Sequence, residues 1–111
     1  MTYAMSFSLI YVTHAGEREA DRMVEVLLEK KLIACGNIFP ITSAYRWKGA
    51  VQHEGEWVSL LKTTPEMWDP LVKAIEQLHP YELPCIIKWE VTANPAYENW
   101  IRECVSPGSE L

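Results

Sequence analysis

The 111-residue chain has little of what usually advertises chemistry. It holds three cysteines, Cys35, Cys85 and Cys104, with no Cys-x-x-Cys pair among them. That spacing supports neither a disulfide framework nor a zinc knuckle, and reduced thiols in a cytoplasmic protein are the simplest account. Cys35 and Cys104 read as small buried hydrophobes. No apolar run is long enough for a membrane-spanning helix, and the first residues lack the basic start of a secretory leader. Ten Lys and Arg stand against fifteen Asp and Glu, a net charge of -5. Phosphate-backbone binding needs clustered cations, so neither a nucleic acid nor a membrane is expected as partner. Catalytic spacings are missing too. Cys85 follows His79 closely, but two prolines intervene and nothing orients a thiol toward a base, so no enzyme is expected.

What the chain does have is the content of one ordinary globular domain over residues 1–111, with 49% apolar and 23% charged residues. Five Trp and five Tyr are many for this length. Large amphipathic rings beyond the needs of a small core suggest a subunit interface or a ligand cleft.

Periodicity predicts the elements in order. Ser6 to Thr13 reads as a strand with Phe7, Leu9 and Tyr11 on one face and Ile10 and Val12 on the other. Glu17 to Leu32 reads as a helix, with Ala20, Met23, Val24, Leu27 and Leu28 as its core stripe. Ala34 to Trp47 is a long second strand punctuated by Gly36 and Pro40. Lys48-Gly49 and the polar run Gln52 to Gly55 read as a turn, and Trp57 to Thr63 as the third strand. Pro65 to Leu78 is a second helix, Cys85 to Thr92 a fourth strand, and Asn94-Pro95 opens a third helix. The order is β-α-β-β-α-β plus a C-terminal helix. It predicts an α+β, ferredoxin-like fold with an antiparallel sheet sheltered by helices on one side. Strands one and three carry apolar residues on both faces, so the bare face needs a cover, and another copy of the chain is the simplest one.

Three constellations carry candidate chemistry. His79-Pro80-Tyr81-Glu82-Leu83-Pro84 is a loop stiffened by two prolines and bearing an imidazole, a phenol and a carboxylate. Its plainer reading is a rigid connector. Tyr45-x-Trp47-x-Gly49 with Glu54 and Glu56 forms an aromatic and acidic rim on the hairpin, either a cleft wall with Lys62 or Glu as polar anchor or simply cross-strand packing. His14 and His79 could approach each other with Cys85 or Glu82 nearby, a mixed donor set suited to copper or zinc. The plainer alternative is two exposed histidines and one that holds a loop. The candidate lining residues are therefore Tyr45, Trp47, Lys62, His79, Tyr81 and Glu82, and the candidate metal ligands are His79, Glu82 and Cys85.

Several of these pieces, taken together, resemble the CutA family of divalent-cation tolerance proteins from about Phe7 to Trp100. The matching pieces are Tyr11-Val12-Thr13, Ala34-Cys35-Gly36-Asn37-Ile38, Tyr45-Arg46-Trp47-Lys48-Gly49, Lys62-Thr63, the His79–Pro84 loop, and Asn94-Pro95 with Tyr97 and Trp100. The resemblance implies a ferredoxin-like fold in a tight cytoplasmic homotrimer, linked to tolerance of copper and other divalent ions. Animal relatives are associated with anchoring a membrane-bound esterase, and the trimer is similar to nitrogen-regulatory signal proteins that bind small ligands between subunits. The chain departs from the family pattern at Gly36, where valine is usual, and at Cys85, where glutamate is usual. Members with a proposed copper site carry a thiol and a second histidine at the positions of Val12 and Leu78; His79 is what remains of that set, with Cys85 as a candidate replacement. The expected function is a non-enzymatic trimer that binds a divalent cation of the copper type or a small ligand at inter-subunit clefts. The alternative is a structural or signalling trimer that recruits a protein partner without a physiological metal.

Overall fold

The computed structural model describes residues 6–111; the start of the chain, where the missing basic leader was read, lies largely outside them. Strand β1 (Phe7–His14) leads to helix α1 (Glu17–Glu29), strand β2 (Cys35–Trp47) and strand β3 (Ala50–Thr63). A 3-10 turn (Pro65–Met67) enters helix α2 (Trp68–Leu78), followed by strand β4 (Ile86–Val91) and helix α3 (Pro95–Cys104). The four strands form one antiparallel sheet in the order β2-β3-β1-β4. This is the ferredoxin-like arrangement expected from the element order.

The core follows from the apolar stripes. Ile10, Val12 and Leu61 from the sheet pack against Met23, Val24 and Leu27 of α1 and Leu71 and Ile75 of α2. Six of these eight are fully excluded from water. Burial of a side chain of that size contributes about 1.5–3 kcal/mol, so this cluster is the main source of stability.

Three boundaries differ from expectation, each for a physical reason. Helix α1 ends at Glu29 because Lys31 takes a left-handed φ of 57°. The Leu32 N–H then bonds the Leu27 carbonyl and the Lys31 N–H that of Leu28, closing the last turn. The run Gln52 to Gly55 is strand, and the hairpin turns at Lys48-Gly49 alone, with φ of 49° and 83°. A two-residue hairpin turn of type I′ needs positive φ at both positions, which glycine supplies freely and lysine at some cost. The polar run hid this strand because that stretch of hairpin lies beyond the core, where neither face has to be apolar. The second helix begins as a 3-10 turn, with Pro70 falling in the first turn of α2, where missing donors cost little.

The second face of the sheet is not wholly bare. Helix α3 crosses one end of it, where Ile101 and Cys104 pack with Phe7, Leu9, Val91 and Tyr97. The expectation that helices shelter only one side is corrected to that extent. Beyond α3, Ile87 and Trp89 remain 44% and 47% exposed beside Tyr11, and Phe39 is exposed on the same face.

At Gly36 the side chains of α1 lie close against the sheet. A Cβ there would lie 2.9 Å and 3.0 Å from the two Val24 methyls and 3.1 Å from Leu61 Cδ2. Glycine at this position thus matches the bulk of Val24 beneath it. Gly36→Val is expected to destabilise the chain by about 1–3 kcal/mol in denaturant unfolding through overpacking. Adding Val24→Ala should recover part of that loss, so that the double variant is more stable than the sum of the two single effects.

Candidate functional site

Strand β4 begins pairing at Val12, so Thr13 and His14 continue β1 with β3 on one side and no strand on the other. The loop after α2 fills that gap. Pro80 prevents helical geometry at His79, which turns extended (φ -83°, ψ 132°) while its N–H still closes α2 onto the Ile75 carbonyl at 2.8 Å. The His79 ring then donates from Nε2 to the Thr13 carbonyl at 2.7 Å. Its Nδ1 accepts the Tyr81 N–H at 3.2 Å. A carbonyl only accepts and an amide N–H only donates, so the ring is the neutral Nε2–H tautomer with both nitrogens occupied.

Around this bond the rings stack. His14 lies parallel to His79 at 5.4 Å, and Tyr81 meets His79 edge-on at 4.5 Å. His14, buried to 2% exposure, shares a 2.7 Å hydrogen bond between Nε2 and Ser59 Oγ. Burial, and then the neighbouring His79, push its pKa down to about 4, against a small opposing pull from Glu19.

Tyr81 passes from this stack to the other face of the sheet, where its hydroxyl donates to Glu56 Oε2 at 2.9 Å. Two residues earlier on β3, Glu54 Oε1 accepts the Tyr45 hydroxyl. Burial and Glu56 raise the Tyr81 phenol well above its usual range, and the hydrogen bond to Glu54 pushes Tyr45 up to about 12. Between hairpin and loop opens a cleft of about 520 Å³ lined by Tyr45, Trp47, Glu54, Glu56, Tyr81 and Glu82, with Arg46 and Cys85 also on its wall. Glu56 is only 8% exposed. Burial and the Glu56 charge raise the Cys85 thiol, the reverse of an activated nucleophile.

The structure brings Tyr45, Trp47, Tyr81 and Glu82 to this cleft as the sequence suggested, but two expected residues belong elsewhere. Lys62 lies about 20 Å of strand from Glu56. Its ammonium donates to the Tyr97 hydroxyl at 3.2 Å and sits over the Tyr97 ring, and the Cys35 thiol meets the same hydroxyl. His79 supports the cleft rather than lining it. The expected metal set of His79, Glu82 and Cys85 is corrected as well: no group of three His, Cys, Asp or Glu side chains able to hold a metal forms among the described residues. His79 has no free nitrogen, and Glu82 points outward to Lys48 at 3.9 Å with its side chain 74% exposed. A resident divalent metal therefore does not fit the residues of one chain. Of the histidines read as exposed, His53 is exposed but His14 is buried. Glu54 and Glu56, read from the sequence as the acidic part of the hairpin rim but left out of the candidate lining set, do line the cleft from one face of β3, and Thr13, Arg46 and Leu83 line it without having been candidates.

Comparison with known proteins places this architecture. The family model described as CutA1 divalent ion tolerance protein matches residues 8–104. A divalent-cation tolerance protein CutA of Thermotoga maritima is 43% identical over 98 residues, covering 87% of this chain and 97% of the relative. The Pyrococcus horikoshii CutA is 34% identical, covering 86% and 94% of the two chains. Among solved structures, CutA from Synechococcus elongatus superposes with a TM-score of 0.89 at 34% identity, covering 95% of each chain.

The low His14 pKa has a sign that can be tested. Folding favours the neutral ring, so its stabilisation is fully present above the unfolded value of about 6.5 and is lost as pH falls toward 4. Urea midpoints measured between pH 7 and 4 should fall across that window, and His14→Gln should flatten the fall.

Proposed function

The chain belongs to the CutA1 divalent ion tolerance protein family, and from that premise we propose that it acts without catalysing a reaction, as a cytoplasmic homotrimer holding a cation in the cleft between hairpin and loop. The observation that carries the cation reading is Glu56. The residue is only 8% exposed on the cleft wall, its Oε2 accepts from the Tyr81 hydroxyl, and no Lys, Arg or His forms an ion pair with it among the described residues. A carboxylate set in a cleft wall without a cationic partner is complementary to a bound cation. Glu54 and Glu82 on the same wall add to the negative field.

Self-association is supported by Ile87, Trp89 and Phe39, a row of exposed apolar side chains on the part of the sheet that α3 leaves open. A second copy covering them would bury about the kind of patch that soluble chains do not leave to water. It would also be the source of the further donors that a copper-type ion needs, because Glu54, Glu56, Glu82 and Cys85 on that wall do not converge into a metal-holding group among the described residues. The non-catalytic reading is supported by the committed nitrogens of His79, the depressed His14 and the raised Cys85 thiol. The free thiols of Cys35, Cys85 and Cys104 accord with a reducing compartment. Recruitment of a protein partner is the second reading, and the same exposed row of Ile87 and Trp89 would carry it.

Sedimentation at micromolar concentration is expected to give three times the chain mass, and Trp89→Asp should shift the protein toward the monomer. A monomeric wild-type species would remove the assembly. Calorimetric titration with Cu²⁺ is expected to show saturable binding that Glu56→Gln weakens about tenfold; unchanged affinity in Cys85→Ser would remove that thiol as a ligand. If copper binds equally to wild type and Glu56→Gln, the cleft is not where it goes.

A further inference from the structure

We infer that the ligand of this cleft is a small organic ammonium ion rather than a bare metal ion, and that Lys48 is a tethered competitor for its place. The inference rests on the cation reading of the cleft and narrows it to a chemical class. Three features point the same way. First, the negative wall of Glu54, Glu56 and Glu82 faces rings: Tyr45, Trp47 and Tyr81 line the same space. Aromatic faces attract ammonium groups through the ring quadrupole and give a hydrated metal ion nothing comparable. Secondly, no three metal-ligating side chains converge among the described residues, whereas a cleft of about 520 Å³ is the size that small organic ligands occupy. Thirdly, an ammonium already stands at the mouth. Lys48 Nζ lies 5.7 Å from the centre of the Trp47 ring and 3.9 Å from Glu82 Oε2, joining hairpin tip to loop.

That third contact shows the mode of binding in miniature. An ammonium sits between an indole face and a carboxylate, delivered by a residue held at positive φ in the hairpin turn. Both side chains are largely exposed, at 73% and 74%, so the pair is weak and readily displaced. A diffusible amine entering the cleft would take the Trp47–Glu82 position with one ammonium. A second ammonium group would reach inward to Glu56, whose Oε2 already accepts from Tyr81 and whose Oε1 has no hydrogen-bond donor among the described residues. Arg46, also on the wall, is the charge that such a ligand has to avoid. The class that fits is a flexible primary diamine or longer polyamine.

The test uses the full chain in its native assembly, titrated calorimetrically with 1,4-diaminobutane and, separately, with Cu²⁺. Saturable diamine binding at one site per chain is expected. Trp47→Leu should weaken the diamine about tenfold and leave Cu²⁺ unchanged, because only the ammonium uses the ring. Lys48→Ala should tighten the diamine several-fold, while Lys88→Ala, which removes the same charge beside Glu90 on β4, should not. Should Trp47→Leu fail to fold, the Lys48→Ala against Lys88→Ala contrast decides alone. Copper binding without diamine binding overturns this inference and leaves the cation reading intact. Absence of both overturns the two together. Diamine binding that is indifferent to Trp47 and Lys48 also overturns it, since the amine is then elsewhere.

Discussion

The hydrogen bond from His79 Nε2 to the Thr13 carbonyl holds the functional end of this molecule together. Strand β1 outruns β4 by two residues, and its backbone there would otherwise face no partner. Leaving such a group unpaired out of water costs about 1–3 kcal/mol. The imidazole completes the sheet where the fourth strand has not yet begun. Because Nδ1 simultaneously takes the Tyr81 N–H, one ring fixes both the strand end and the direction in which the loop leaves it. Tyr81 is thereby aimed across the sheet at Glu56, and the cleft has a wall.

This arrangement separates support from binding. The histidines stack behind the cleft, neutral and hydrogen-bonded, while carboxylates and phenols face into it. A histidine in a metal-tolerance family invites the reading of a ligand, yet here coordination at either nitrogen would break a bond that shapes the loop. What is left facing the solvent side is negative and aromatic. That wall accords with the proposed cation, whose further donors would come from a second copy unless the ion is an organic ammonium group.

Much of the fold was legible because it rests on periodicity. The α1 and α2 stripes, the two-faced apolar pattern of β1 and the proline-bounded loop each specify their place before any contact is known. The hairpin was not legible in full. Residues 52–55 form a strand that packs on no core, so nothing in their polarity distinguishes them from a loop, and Glu54 and Glu56 could be read as a rim but not as neighbours on one strand face. Lys62 illustrates the opposite failure. Its type suited a cleft anchor, but strand geometry carries it to Tyr97 and Cys35 at the far end of the sheet. The role of His79 was half visible: the sequence gives a histidine clamped by proline, and only the fold supplies the Thr13 carbonyl and the Tyr81 amide that commit both its nitrogens.

The neutral, doubly bonded state of His79 is the claim on which the cleft depends, and imidazole nitrogen NMR reads it directly. At neutral pH His79 is expected to be a single tautomer, protonated at Nε2 and bare at Nδ1, with a slowly exchanging Nε2 proton unmoved by stoichiometric Zn²⁺. A ring averaging between tautomers, or one whose Nε2 proton is lost when Zn²⁺ is added, would contradict it.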